Sequence, residues 1–205
     1  MAIVNDEFKE SPSQTAGPYV HIGCTPNFTG IKKTYSSDLG SVMKTGPVKG
    51  DEIVIKGTIF DGAGAPLRDA MLEIWQADSE GLYNSPQEAR GIANPNFTGW
   101  GRCAVDLKTG LFRFNTLKPG PVPSPNGPLQ APHISVWIVA RGINVGLQTR
   151  AYFSDEEEHN SSDPILNQIG DSKRIKTLLA IRQKKGIYSF NIHLQGSNET
   201  VFFDI

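Results

Sequence analysis

Cysteine is scarce in this chain, with two residues, Cys24 and Cys103, in 205. Two thiols cannot build a disulfide framework, and their separation fits no metal-finger spacing. Long apolar runs are missing as well. No segment approaches the ~18 apolar residues of a membrane helix, and residues 1–10 contain no cationic stretch leading into an apolar core. These absences predict a soluble, unexported chain with reduced thiols, hence a cytoplasmic one. Neither sign of charge is in excess: 20 Lys and Arg stand against 21 Asp and Glu, a net charge of −1. There is no basic field to attract a polyanionic backbone, which argues against a nucleic-acid partner. The G-x-S-x-G elbow, the P-loop, the H-E-x-x-H helix and the dinucleotide fingerprint are all absent. Four Asn-x-Ser/Thr sequons, at Asn27, Asn96, Asn160 and Asn198, are short enough to arise by chance and carry little weight.

What the chain does contain is turn chemistry. Its 21 glycines and 14 prolines exceed ordinary usage but fall short of low complexity. They cluster between short runs that alternate apolar and polar residues, which predicts an all-β fold, an antiparallel β-sandwich with one or two short helices. Strands are expected over 52–60, 70–77, 134–140 and 147–153, with a C-terminal pair over 187–194 and 199–203. The stretches 101–107 and 111–117, separated by Lys108-Thr-Gly110, read as a hairpin with Phe112 and Phe114 on one face. Mixed three- and four-residue spacing between Asp163 and Ile181, interrupted by Gly170, gives the helical signal. Residues 1–50, rich in Pro and Gly, read as an irregular arm packing on a partner chain, ahead of a single sandwich over 51–205.

Most isolated polar groups have plain structural readings. The run from Asp155 to His159 suits a solvated face, on a helix N-terminus or a loop, better than a metal cluster. His193 alternates with Ile192 and Leu194 and belongs on a polar sheet face, and His21 has no neighbouring ligand type. Cys103 reads as a small buried hydrophobe, and Trp75 and Trp137 as core or interface aromatics.

Several motifs together are more specific than any of these. Thr15-Ala-Gly-Pro-Tyr19, Leu72-Glu-Ile-Trp-Gln-Ala-Asp78, Gly81-Leu-Tyr83, Leu117-Lys-Pro-Gly-Pro121, Ala131-Pro-His-Ile134, Ala140-Arg-Gly-Ile-Asn144 and Thr149-Arg-Ala-Tyr-Phe153 run through the chain, with Glu199-Thr-Val-Phe-Phe-Asp204 at its end. In these the sequence resembles the intradiol ring-cleaving dioxygenases over nearly its whole length from Ser13 onward. The resemblance implies a non-heme ferric centre held by two tyrosines and two histidines, hard donors that favour Fe(III). Carried over by position, Tyr83 matches the first tyrosine and His133 the first histidine. Val122 stands where the second tyrosine belongs and Ser135 where the second histidine belongs. A supporting basic residue three before the first histidine falls on Gln130. Two surviving donors cannot fix a mononuclear ferric ion, so these positions are expected to be vestigial and the chain to bind no metal and hold no catalytic residue.

This departure resembles the iron-free α chain of those members of the family that pair it with an iron-bearing β chain. The resemblance then implies a role in cleaving 3,4-dihydroxybenzoate with O₂ to 3-carboxy-cis,cis-muconate, at a site in β that the α chain completes. Arg141 is expected to pair the substrate carboxylate, with Thr15, Gly17 and Tyr19 shaping the pocket. Two other readings compete with this one: a β-sandwich binding module with no enzymatic role, and a self-sufficient dioxygenase that recruits His21 or Tyr19 as replacement donors.

Overall fold

The computed structural model describes residues 15–124 and 127–204. Strand β1 (Glu52–Phe60) buries Ile53, Ile55 and Ile59 while its alternate residues face outward. Strand β4 (Leu111–Leu117) does the same with Phe112, Phe114 and Thr116. The two pair antiparallel, with Ile55 opposite Phe114, so the pleat delivers two apolar rows to one side. Each such side chain contributes about 1.5–3 kcal/mol through burial. The remaining strands are β2 (Met71–Trp75), β3 (Trp100–Ala104), β7 (His133–Val139), β8 (Leu147–Phe153), β9 (Leu179–Lys184), β10 (Ile187–Ser189) and β11 (Ile192–His193). The strand path runs β11-β1-β10-β9-β8-β7-β2-β3, with β4 on β1, while β5 (Val122–Ser124) and β6 (Gly127–Gln130) form a separate ribbon.

The path doubles back at β9, which pairs antiparallel with β10 and parallel with β8. Two sheet halves therefore face each other, and a common core joins Ile55, Ile59, Phe112 and Phe114 to Leu72, Ile74, Ile134 and Ile138. The fold is the expected all-β sandwich. Most of its pairings are antiparallel, but β1 with β10, β1 with β11, and β8 with β9 are parallel. At Gly57 the chain after β10 passes so close that a Cβ would lie 1.8 Å from the Phe190 carbonyl oxygen, a contact only glycine permits.

The expected hairpin is corrected. The turn at 106–110 is tight: Asp106 accepts hydrogen bonds from Lys108 N (3.0 Å) and Thr109 N (2.7 Å), and Gly110 has φ +72°. Yet β3 pairs with β2 and β4 with β1, so the turn links the two sheet halves instead of folding one strand onto the next. Alternation fixes which face of a strand is buried, not which strand lies beside it. At the C-terminus, 187–194 splits into β10 and β11, and 199–203 contributes only a bridge from Phe203 to Gln148.

Helices α3 (Pro164–Ile169) and α4 (Ser172–Lys176) occupy the stretch with helical spacing, separated by Gly170 at φ +70°. The end of that stretch becomes β9. Helix α1 (Pro18–Cys24) in the arm was not anticipated, and α2 (Glu157–Ser162) forms on the acidic run, with Glu157 and Glu158 in its first turn. The acidic run is only partly a solvated face, because Lys118 pairs with both Asp155 (3.0 Å) and Glu156 (2.5 Å). A second, smaller core of Ala131, Tyr152, Leu166 and Leu178 lies under these helices. No helix among the described residues is long and apolar enough to cross a membrane.

Candidate functional site

The positions singled out by sequence fall into two places. The first is built by β7, β8 and the loops beside them. His133, at the start of β7, is buried, and its Nδ1 lies 2.7 Å from the Ala131 carbonyl oxygen. A carbonyl only accepts, so Nδ1 carries the proton and Nε2 keeps its lone pair. Burial, helped by the nearby Arg150 charge, pushes the His133 pKa down to about 4, so the ring is neutral at pH 7. Tyr83 lies in the long β2–β3 connection and stacks on Trp75, with ring centroids 5.9 Å apart and planes 9° from parallel. Burial raises its pKa and Arg150 partly opposes the rise, so its phenol stays protonated. Val122 is buried in β5 opposite Gln130 of β6, and Ser135 lies in β7 opposite Trp75 of β2 on one side and Arg150 of β8 on the other. An aromatic groove of about 380 Å³ lined by Trp75, Trp100, Trp137 and Ser135 opens on this face.

Sequence reasoning missed Arg150. Its Nη1 donates to Gln130 Oε1 at 2.7 Å and lies 3.4 Å from the Tyr152 hydroxyl. The signal was present in Thr149-Arg-Ala-Tyr-Phe153, where alternation puts Arg150 and Tyr152 on one face of β8. The donor set of this cleft is thus one neutral imidazole, one protonated phenol, a serine hydroxyl and a valine, beside a guanidinium. Such a set does not fit a mononuclear ferric ion, because only the imidazole and the phenol are strong donors, a valine offers none and a serine hydroxyl a poor one. Among the described residues no group of three or more His, Cys, Asp and Glu gathers in metal-binding geometry.

The second place lies where the arm meets the sandwich. Thr15 Oγ1 accepts a 2.6 Å hydrogen bond from Gly142 N and lies 3.3 Å from the Ala140 carbonyl oxygen, which ties the arm to the loop carrying Arg141. Gly17 and Arg141 line one pocket of about 460 Å³ with His21, Asp69 and Phe28. Arg141 Nε is 3.3 Å from Asp69 Oδ2, but its side chain is 81% exposed, so its remaining donors face outward. Tyr19, on α1, is 84% exposed and outside the lining. The φ of Gly17 is negative, and a Cβ added there would meet no atom within 4 Å among the described residues, so open space lies beside it. His21 does have neighbours: Nε2 lies 2.9 Å from the Asp69 carbonyl oxygen and Nδ1 3.3 Å from Thr25 Oγ1. Neither His21 nor Tyr19 is brought to Tyr83 or His133. Of the remaining candidates, His193 stacks on Phe60 at 4.9 Å, and burial pushes the Cys103 thiol up to about 12, which leaves it an inert hydrophobe. A groove of about 600 Å³, lined by Lys173, Lys176 and His193 among others, shares no residue with either place.

Known proteins resemble this chain in sequence and in fold. Residues 25–196 match the protein family described as Dioxygenase. The alpha chain of protocatechuate 3,4-dioxygenase from Pseudomonas putida is 42% identical over 95% of this chain and 96% of its own length. The beta chain of the same enzyme from Burkholderia cepacia is 30% identical over 78% of this chain and 71% of its own. Among solved structures, the dioxygenase domain of a dioxygenase–carbohydrate-binding fusion from Streptomyces sp. SirexAA-E covers 93% of this chain and 100% of that domain, with a TM-score of 0.55. At 21% identity that likeness speaks to fold alone. The family match spans most of the sandwich, and the alpha-chain likeness runs nearly end to end, so the chain belongs to the intradiol ring-cleavage dioxygenases.

Proposed function

We propose that this chain is the α subunit of a cytoplasmic protocatechuate 3,4-dioxygenase in the catabolism of aromatic compounds, working with an iron-bearing β chain. The reaction opens the ring of 3,4-dihydroxybenzoate between its two hydroxyl-bearing carbons, adding O₂ to give 3-carboxy-cis,cis-muconate. Ferric iron, held by β, activates the substrate toward O₂. This chain's part is to complete the pocket. Arg141 pairs the substrate carboxylate, Thr15 holds the Arg141 loop in place, Gly17 leaves room for the incoming partner, and Tyr19 becomes a wall of the pocket once β covers it.

The observation that carries this reading is where the chain leaves apolar surface uncovered. Of fourteen exposed large hydrophobic side chains among the described residues, seven lie between Tyr19 and Val42, in the arm that carries Thr15, Gly17 and Tyr19. Such a patch marks an interaction surface. The exposed Arg141–Asp69 pair supports the same reading, since a solvent-facing ion pair contributes only about 0–1 kcal/mol and the guanidinium can turn to a better anion.

Co-expression tests it. The chain alone is expected to contain no ferric-tyrosinate colour and to take up no O₂ with protocatechuate, whereas co-expression with a β chain gives both. In that complex Arg141→Ala is expected to raise KM about tenfold or more while kcat changes little. Colour and turnover in the lone chain, or an unchanged KM, would refute the assignment.

A further inference from the structure

We propose that Asp69 and His21 are positioning residues for Arg141: the Asp69 carboxylate holds the guanidinium by one side, and His21 fastens Asp69 to the arm. This rests on the functional reading above, in which Arg141 meets the substrate carboxylate, and adds the residues that aim it.

The register of β2 and β7 brings Asp69 and Arg141 together. Met71, at the start of β2, lies opposite Val139, at the end of β7. Continuing outward by two residues on each antiparallel strand leads to Asp69 and Arg141, just beyond the strand ends. Both backbones are fixed there. Ala70 and Ala140 are buried, the Ala70 carbonyl accepts a 3.0 Å hydrogen bond from Val105 N, and the Ala140 carbonyl accepts one of 3.1 Å from Ile143 N. Between these anchored segments the two side chains meet through Arg141 Nε and Asp69 Oδ2, 3.3 Å apart. With Nε committed to Asp69, Nη1 and Nη2 remain, and that end of the guanidinium suits bidentate pairing with a second carboxylate. Without an anion at Nε, so long and exposed a side chain would spread over several rotamers, and binding would bear the cost of selecting one.

The arm closes the arrangement. His21, on α1, has its Nε2 2.9 Å from the Asp69 carbonyl oxygen. That oxygen only accepts, so Nε2 carries the proton. Nδ1 lies 3.3 Å from the hydroxyl of Thr25, a buried residue, which fixes the other side of the ring. Thr15, farther along the arm, accepts from Gly142 N at 2.6 Å. The contacts thus form a circuit from His21 to Asp69, to Arg141, along the chain to Gly142, and back to the arm at Thr15. His21, Asp69 and Arg141 all line the same pocket of about 460 Å³. A histidine that merely docked the arm would act on the pocket whether or not Arg141 were present, whereas a positioning residue acts only through it.

Steady-state kinetics of the complex with a β chain separate these roles. Asp69→Asn keeps the shape and removes the charge. His21→Ala breaks the link to Asp69, and His21→Gln keeps an N–H donor at the Nε2 position. Asp69→Asn and His21→Ala are each expected to raise KM for protocatechuate about threefold or more while kcat stays within a factor of about two, and His21→Gln to lie nearer to the native KM than His21→Ala. In an Arg141→Ala background neither substitution is expected to raise KM further. A level or lowered KM in Asp69→Asn, a native KM in His21→Ala, or rises of equal size with and without Arg141 would overturn the proposal. Should His21→Ala not assemble with β, Asp69→Asn decides alone, since it alters a surface pair. A native KM in Arg141→Ala sinks the functional reading and this proposal together; a raised KM there beside a native KM in Asp69→Asn sinks the proposal only.

Discussion

His133 illustrates how far one residue's surroundings change its chemistry. An unfolded histidine titrates near 6.5, whereas burial, with a smaller contribution from Arg150, holds this one at about 4. Between those values the unfolded chain binds a proton that the native ring does not. The stabilisation is therefore complete above about pH 6.5 and is lost as pH falls through 4, an effect on the order of 3 kcal/mol. Urea melts at pH 7.5 and pH 4 are expected to show the native chain losing more stability than His133→Asn, by roughly that amount. Parallel losses in both proteins would mean that other groups govern acid sensitivity. The same residue marks how much of the site was legible. Tyr83, Val122, His133, Ser135 and Arg141 could be singled out as candidates from motif positions alone. Alternation could put Arg150 on one face of β8 with Tyr152, but not across from Ser135, because the neighbouring strand lies outside the local pattern.

At the scale of elements, α3 is too short to be stable alone, since helices below about 12 residues are marginal in water. Asp163 secures it. The carboxylate caps α3 through Ile165 N and Leu166 N and also accepts from Ala131 N, two residues before His133. One buried side chain thus ties the helical segment to the β6–β7 link. Asp163→Ala removes a cap and leaves a buried N–H unpaired, with an expected cost of about 2–4 kcal/mol by chemical denaturation. Asp163→Asn, which keeps one acceptor oxygen, is expected to cost half of that or less. Equal costs would mean that one acceptor oxygen does not suffice and that the charge or the second oxygen of the carboxylate carries the effect. Elements with clear alternation were legible to the residue: β1, β4 and β8 have the limits the pattern gave them. Strand β9 was hidden because Leu179 and Ile181 continued the apolar spacing of α4 without a break.

For the molecule as a whole, the uncovered arm is the feature that a lone chain leaves unexplained. Tyr35 and Leu39 are 44% and 47% exposed, side chains an isolated domain has no reason to present together. If they pack on β, Tyr35→Ser with Leu39→Ser is expected to weaken α–β association at least tenfold, measured by sedimentation, while the melting temperature of the chain alone stays within about 2 °C. Undiminished association would place the interface elsewhere.

The amino-acid sequence by itself determined the class of fold, the faces of the main strands and which side chains stand at the candidate positions, because alternation, turn residues and side-chain chemistry are local properties. Only the tertiary structure decided which strands are neighbours, that residues 101–107 and 111–117 part company after their shared turn, and that Arg150 of β8 stands across from Ser135 of β7. Those outcomes depend on contacts between segments far apart in the chain, where many pairings satisfy the same local pattern and the packing of the whole core selects one.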